Sequence, residues 1–171
     1  MTRQLLLISF ALALLPASGA AQRQRLSMDP GWRFTQGDLQ GAEAPGFDDT
    51  GWRQLDLPHD WSIEGGPEES NPGGGQIGYF PTGIGWYRRA FQLPAGAEGK
   101  QVWIQFDGIH QNSDIWINGH HLGHRPFGYV SIHHDVTPHL VRGQNVIAVR
   151  VYNSSHPNSR FYTGSVIQVC R

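Results

Sequence analysis

The sequence has 171 residues, with 13 basic and 14 acidic side chains and a formal net charge of −1. Because these charges are scattered and form no basic stripe, they give no reason to expect a nucleic-acid partner. Cys170 is the only cysteine, which excludes an internal disulfide and leaves the hydrophobic core to stabilise the fold. Six tryptophans, 22 glycines and 11 prolines, with few helix-length patterns, favour an all-β domain.

Residues 1–21 have the pattern of a secretory signal peptide. Arg3 supplies the positive end, residues 5–15 are a short apolar run, and residues 18–21 are the small side chains that a signal peptidase requires. The run is too short to span a membrane, and no later stretch is apolar enough for one. We therefore expect cleavage at the end of this leader and an exported, periplasmic or extracellular protein with no membrane attachment. The remainder, about 150 residues, is the size of one domain.

Three short strands and one long loop are predicted in the first half of the mature chain. Residues 31–35, 54–57 and 86–93 have strand character and are bounded by turn residues or proline. Residues 65–85 have no period and are rich in Gly, Pro, Ser and Asn, which predicts a long loop over a functional face. The glycines at 73–75 lack the Lys-Ser/Thr that follows in a phosphate-binding loop, so no phosphate site is expected.

Aromatic and ionisable residues lie between the first strands. Phe47 and Trp52 flank a polar turn, and we expect them to plug the edge of a sandwich rather than contact a ligand. His59 and Asp60 are adjacent, and adjacent residues of an extended segment point to opposite faces. The two are therefore not expected to serve one proton path.

The clearest strand patterns lie between residues 101 and 123. Apolar residues alternate with other residues at 102–106 and again at 114–118, which predicts two strands with one apolar face each. Asn118-Gly119 follows the second run directly, and this dipeptide suits a two-residue turn with positive φ at both positions. We therefore expect the chain to reverse there, within an antiparallel layer that contains both runs and packs on a core.

The last third of the chain continues this pattern. Residues 124–134 are aromatic and extended, and residues 144–152 form the last strong strand. Between them, Thr137 is the predicted N-cap of one short helical turn, with Pro138 at the first helical position and Gly143 at the stop.

Six of the nine histidines lie within twenty residues, which raises the question of a metal site. These are His120, His121, His124, His133, His134 and His139. A metal needs three or four ligands that converge on one point, whereas neighbouring histidines in a strand point to opposite faces. We therefore interpret them as solvated strand and loop histidines and expect no metal.

Five stretches share their order and spacing with one known family. They are FDDTGWRQLDLPHDWSIEG at 47–65, GYFPTGIGWYRRAF at 78–91, FDGIHQNSDIWINGHHLGHRPFGY at 106–129, DVTPHLVRGQNVIAVRVYN at 135–153 and PNSRFYTGS at 157–165. Together they resemble the N-terminal domain of glycoside hydrolase family 2, and LPHDW and GIGWYRR are most similar to the β-galactosidase branch. The resemblance implies a jelly-roll β-sandwich of the galactose-binding-domain type over residues 22–165, often called the sugar-binding domain.

The resemblance implies a domain that binds but does not catalyse. In that family, two glutamates of a later TIM-barrel domain perform the chemistry, and the first domain completes the substrate pocket. The five glutamates after the leader lie in loop-like stretches and form no convincing catalytic pair. The implied partner is a β-galactoside-like carbohydrate, together with the downstream domains, and no cofactor is implied.

The resemblance also indicates where sugar contacts would lie. The segment that matches residues 158–162 borders the domain interfaces and the substrate pocket, so Arg160 and Tyr162 are expected at the pocket rim or the domain interface. Asp60 and Trp61 are expected near the same rim. The alternatives, Arg160 paired with a neighbouring carboxylate and Trp61 in the core, stay open.

The end of the chain departs from the family pattern. Where the family has SRWYSGSGIYRDVW, residues 159–171 read SRFYTGSVIQVCR, without the glycine expected at Val166. We therefore expect residues 166–171 to be a truncated or aberrant end. The leading hypothesis is the N-terminal module of an exported β-galactosidase-like hydrolase without its catalytic domains. The alternatives are a stand-alone carbohydrate-binding module and an inactive structural fragment.

Overall fold

The computed structural model describes residues 23–72, 74–153 and 166–170, and it is built from β-strands. The strands are β1 (Trp32–Gln36), β2 (Arg53–Leu55), β3 (His59–Asp60), β4 (Gly83–Gln92), β5 (Trp103–Ile109), β6 (Ser113–Ile117), β7 (His120–Arg125), β8 (Ile132–Asp135), β9 (Gln144–Asn153) and β10 (Val166–Cys170). Two 3-10 turns lie at Gly74–Ile77 and Thr137–His139. Within these described ranges no helix is long and apolar enough to cross a membrane.

The strands form two antiparallel sheets. The larger sheet has six strands in the order β2-β1-β4-β9-β6-β7, and the smaller has four in the order β3-β10-β5-β8. Strands β4 and β9 pair over their whole length, from Gly83 opposite Asn153 to Gln92 opposite Gln144. The predicted all-β class is confirmed.

The core lies between the two sheets. Strands β5 and β8 of the smaller sheet contribute buried Ile104, Phe106 and Ile132, and the rings of Phe106 and Trp32 of the larger sheet lie 6.4 Å apart. Alternate residues of each strand point to opposite faces, so the predicted period of two produces one apolar face per strand. Burial of each such side chain contributes about 1.5–3 kcal/mol. The sandwich is therefore stabilised by side chains from both layers.

A second apolar cluster covers the outer face of the six-stranded sheet. It contains buried Ala42, Trp86 and Ala148, against which Phe47 and Trp52 pack. The rings of Phe47 and Trp52 meet edge to face with their centroids 5.7 Å apart. Their packing agrees with the predicted structural role, although the surface that they cover is a sheet face rather than a sandwich edge.

Buried Arg88 fastens the loop that joins β1 to β2. Its side chain projects from β4 on the outer face, and its Nε donates to Asp49 over 2.8 Å. The guanidinium also donates to the backbone carbonyls of Ala42 and Ala44. A charge buried to this extent is stable only when it is paired and hydrogen-bonded, which the loop provides.

The two central strand runs are both confirmed, but they lie in facing sheets rather than in one layer. Strand β5 belongs to the smaller sheet, whereas β6 belongs to the larger one, and residues 110–112 carry the chain across. Two strands can direct their apolar faces at one core either as neighbours in one sheet or from two facing sheets. The alternation of apolar residues is the same in both cases, so it could not show which sheet each strand joins. The turn at Asn118-Gly119 is confirmed, with φ of 49° and 81°, and it joins β6 to β7.

One further local prediction differs from the structure. The N-cap of the 3-10 turn is Val136 rather than Thr137. The Thr137 hydroxyl instead accepts a hydrogen bond from the backbone N–H of Val102 over 2.8 Å, because the turn packs against the start of β5. Strand β10 lies between β3 and β5 in the smaller sheet.

Candidate functional site

Asp60 and Trp61, the predicted site residues that the structure describes, lie at the end of β3 and just after it. Gly83 at the start of β4 pairs with Asn153 at the end of β9, and Asp60 at the end of β3 pairs with Val166 at the start of β10. Residues 154–165, which include the predicted Arg160 and Tyr162, lie outside the described residues. Their positions are therefore not part of the site described below.

A cleft of about 610 Å³ opens between the β1–β2 hairpin and the loop that follows β3. Its walls combine aromatic rings with uncharged polar and charged side chains. The lining residues are Phe34, Thr35, Gln36, Gly51, Trp52, Arg53, Trp61, Glu64, Gly65, Asn71 and Pro81. This volume lies within the range of small-molecule sites, and its mixture of groups suits a ligand with apolar faces and polar edges.

Trp61 is the predicted site residue that reaches this cleft. It is 3% exposed, so it belongs to the core as well as to the cleft wall. Gly85 of β4 makes room for its indole, since an ideal Cβ at Gly85 would lie 2.9 Å from the Trp61 Nε1. Trp61 can therefore be a core residue and also contribute to the wall of the cleft.

Asp60 has a local structural contact. Its Oδ1 accepts hydrogen bonds from the backbone N–H and the hydroxyl of Ser62, over 2.9 and 2.6 Å. A carboxylate that binds the backbone two residues ahead stabilises a turn. Asp60 therefore orients the start of the loop that carries Trp61, and it is not among the residues that line the cleft.

A polar network at the cleft wall was not predicted from the sequence. Arg53 Nη2 donates to both oxygens of Glu64 over 2.8 and 2.9 Å and lies 2.7 Å from His59 Nε2. On the other side of the imidazole, Nδ1 lies 2.8 Å from the hydroxyl of Tyr87. These contacts thus connect a half-exposed ion pair to a fully buried tyrosine. Arg53, His59 and Glu64 lie close together in the sequence, whereas Tyr87 of β4 is 28 residues from His59, so its contact with the ring could not be predicted from spacing.

The ionisation states in this network follow from burial. Burial lowers the pKa of His59, which the neighbouring Glu64 carboxylate opposes, and burial raises the pKa of Tyr87 well above its ordinary value. The ring of His59 is therefore neutral at pH 7. His59 Nε2 lies 2.7 Å from the Arg53 guanidinium, which only donates, and 3.0 Å from Oε1 of Glu64, which only accepts, so these two contacts do not fix the tautomer of the ring. The network holds Arg53 and Glu64 in place and offers no strong base.

The carboxylates of the cleft limit its chemistry. Glu64 is the single carboxylate among the described residues that line it, and that carboxylate is paired with Arg53. Glycoside hydrolysis uses two carboxyl groups on either side of the scissile bond. Among the described residues the cleft can therefore bind a ligand, but it lacks the pair for this hydrolysis.

Two histidines of the histidine-rich strand β7 contact one carboxylate. His121 Nε2 and His124 Nδ1 lie 2.9 and 3.2 Å from the same oxygen of Asp114. In the part of the chain that the structure describes, no group of three or more His, Cys, Asp or Glu is placed to hold a metal ion.

Comparison with known proteins decides the family. Residues 78–167 match the family described as "Glycosyl hydrolases family 2, sugar binding domain". The chain belongs to glycoside hydrolase family 2. The sequence resemblance is thereby confirmed, and the matched residues begin in the loop before β4 and end in β10.

The family 2 domain is similar to regions of much longer proteins. It is 48% identical over 149 residues to the β-galactosidase BoGH2A of Bacteroides ovatus, covering 86% of this chain and 18% of that protein. It is 41% identical over 142 residues to a putative β-glucuronidase of Formosa agariphila, covering 83% of this chain and 14% of that protein. The chain thus spans less than a fifth of these relatives.

Solved structures give the same result. A β-glycosidase from Bacteroides vulgatus superposes with a TM-score of 0.81 at 44% identity, covering 85% of this chain and 19% of that one. A β-glucuronidase from Bacteroides uniformis gives a TM-score of 0.76 at 29% identity, covering 87% and 18%. The two-sheet arrangement is therefore that of the sugar-binding domain of family 2.

Proposed function

We propose that this chain is the non-catalytic, sugar-binding N-terminal domain of a longer family 2 glycosidase of the β-galactosidase type, which hydrolyses O-glycosyl bonds in an exported location. The observation that carries the proposal is the cleft with two tryptophans and one paired carboxylate. Aromatic rings and polar edges suit sugar binding, whereas hydrolysis needs a second carboxyl group from elsewhere.

The β-galactosidase type is supported by the sequence. The relative with 48% identity is a β-galactosidase, while the relative with 41% identity is a putative β-glucuronidase. The LPHDW and GIGWYRR segments add to this support, since they resemble the β-galactosidase branch. The carbohydrate partner in the proposal is therefore a β-galactoside.

A domain exchange tests the proposed role. The 149-residue region of the Bacteroides ovatus β-galactosidase that matches this chain is replaced by this chain, and hydrolysis of a chromogenic β-galactoside is measured. We expect the chimera to keep activity within about tenfold of the parent, whereas the parent without the region loses it. An inactive but folded chimera contradicts the proposal.

A separate measurement tests the proposal that the domain alone does not hydrolyse glycosides. The purified chain alone is incubated with chromogenic β-galactosides and β-glucuronides, and we expect no hydrolysis because the cleft lacks a carboxyl pair. Turnover that survives repurification would refute this part of the proposal.

Export is tested with a reporter enzyme. Residues 1–40 are fused to alkaline phosphatase, which needs disulfides and is active only in an oxidising compartment. We expect active reporter, and we expect Leu12→Arg in the apolar run to abolish its activity. Equal activity of the two fusions would count against export by this leader.

A second candidate function is a stand-alone carbohydrate-binding module. The cleft supports it as well, since aromatic and polar side chains line the cleft. It differs from the first in predicting sugar binding by the chain without any rescue of activity in the chimera.

A further inference from the structure

We infer that a second cavity of the domain, called here the basic cavity, binds an extended polypeptide segment in which acidic and apolar residues alternate. The basic cavity lies between residues 23–28, the last residues of β4 and the first residues of β5, and its volume is about 970 Å³. It shares no lining residue with the cleft beside Trp61. Its ligand is therefore independent of the carbohydrate that the cleft is proposed to bind.

The floor of the basic cavity is apolar and consists of side chains from both sheets. Phe91 of β4 and Ile104 of β5 line it, and Ile104 is 2% exposed. Val102 and Met28 also line it, and they pack with Phe91 against the buried core. Apolar surface in an open cavity is stabilised when a ligand removes it from water. The floor therefore favours a ligand with apolar side chains.

Positive side chains surround this floor. Arg23, Arg25 and Lys100 are exposed and line the cavity, and Arg89 of β4 adds a fourth positive charge. The described residues that line it include no Asp or Glu. Within the described part of the chain, Arg23, Arg25 and Lys100 form no ion pair. Charges of one sign around a cavity raise the local concentration of ligands of the opposite sign, so the rim favours acidic groups.

The backbone of residues 23–28 is available to a ligand as well. These residues belong to no strand, and no backbone–backbone hydrogen bond joins them to another described residue. The carbonyl of Met28 accepts a hydrogen bond from Trp32 Nε1 over 2.6 Å, which holds the last residue of the segment against the core. The N–H and C=O groups of a polypeptide ligand can pair with such main-chain groups, as they do when a peptide adds a strand to a sheet edge.

The rim and the floor together select the class of ligand. Leu26 and Trp103, which are 47% and 51% exposed, add further apolar surface to the lining. An anionic saccharide suits the positive rim but has no apolar side chains for this surface, whereas a neutral apolar peptide suits only the floor. Alternate residues of an extended chain point to opposite sides, so a peptide of alternating acidic and apolar residues matches both.

Calorimetric titration of the purified chain with synthetic peptides tests the basic cavity. A capped peptide of alternating Glu and Val is compared with a peptide of alternating Lys and Val and with one of alternating Glu and Ser. We expect the Glu–Val peptide to bind at least about tenfold more tightly than either of the others. Its affinity should also fall when NaCl is raised from about 0.05 to about 0.5 M, because salt screens exposed charges.

Three results of these titrations would overturn the inference. Equal binding of the Glu–Val and Lys–Val peptides would remove the role of the positive rim, and equal binding of the Glu–Val and Glu–Ser peptides would remove that of the apolar floor. An oligomer of galacturonate carries carboxylates on a saccharide, and if it binds as tightly as the Glu–Val peptide, the ligand is not a polypeptide.

Charge-reversal variants locate the binding. Arg25→Glu and Lys100→Glu are each expected to weaken binding of the Glu–Val peptide by about two- to tenfold. Arg142→Glu is the matched control, because Arg142 is equally classed as exposed, changes the net charge by the same amount and does not line the basic cavity. All three side chains are exposed, so the variants are expected to fold, which urea unfolding checks. Equal weakening in all three would show a general effect of net charge and would overturn the site.

Discussion

The hydroxyl of buried Tyr87 lies 2.8 Å from Nδ1 of His59 and connects the core of the sandwich to the cleft wall. Tyr87→Phe removes this hydroxyl and leaves a half-buried imidazole nitrogen without that partner. We expect the free energy of unfolding to fall by about 1–2 kcal/mol, the cost of one lost hydrogen bond with an unsatisfied group. Urea unfolding measures the change. Tyr152→Phe, on a side chain that is 41% exposed, serves as control and is expected to change little. Equal stability of the two variants would contradict the prediction.

Acid is expected to destabilise the domain below about pH 6.5, the ordinary pKa of histidine. Burial lowers the pKa of His59, His110 and His134, so these rings are neutral in the folded state over a range where the unfolded chain binds protons. Stability is therefore fully present above pH 6.5 and is lost as the pH falls towards the lowered values. Urea unfolding at pH 7.5, 6.5 and 5.5, chosen to bracket that pKa, measures the loss.

One variant isolates the contribution of His110. Both of its ring nitrogens are buried and have no hydrogen-bond partner among the described residues, and its ring packs on Tyr129 at 4.9 Å. His110→Phe keeps a ring in this position but removes the titrating group. We expect the fall in stability between pH 6.5 and 5.5 to become smaller, by up to about 1.4 kcal/mol per pH unit. An unchanged pH profile would show that His110 titrates normally.

The buried ion pair of Arg88 is expected to matter far more than an exposed one. Asp49→Asn leaves the guanidinium of Arg88, whose side chain is 2% exposed, without its charged partner. We expect a loss of about 3–5 kcal/mol in the free energy of unfolding. Asp38→Asn is the matched control, since Asp38 is 64% exposed and pairs with Arg150, and it is expected to cost less than about 1 kcal/mol. Similar losses in both variants would refute this assignment.

How much the sequence predicts depends on whether the signal is local. Strands β4 and β9 and the turn at Asn118-Gly119 are determined by alternation and by backbone preference within a few residues, and they were predicted. Residues 124–134 were predicted as one extended run, whereas the structure divides them between β7 and β8. The division depends on pairing, because β7 pairs with β6 and β8 with β5 in the opposite sheet.

The candidate site shows the same limit. Trp61 could be selected from the sequence because its segment resembles a family pattern, and it reaches the cleft. Arg53 and Glu64 could not be selected in this way, because nothing in the sequence distinguishes them from other charged residues. They form a pair because β3 and the loop after it bring their side chains within 2.8 Å. Contacts between distant segments require the topology, which composition and periodicity do not supply.

Gly128 is expected to be irreplaceable, because the loop between β7 and β8 packs directly on the end of β5. An ideal Cβ at Gly128 would clash with Nδ1 of His110 and lie 2.6 Å from its Cα, closer than real Cβ contacts allow. The Cα cannot move without shifting the backbone, so Gly128→Ala is expected to cost about 1–3 kcal/mol or more. Gly46→Ala is the matched control, since a Cβ there meets nothing within 4 Å. Thermal and urea unfolding of the two variants measure the difference. If Gly128→Ala unfolds at the same urea concentration as Gly46→Ala, the loop does not pack on His110 in solution.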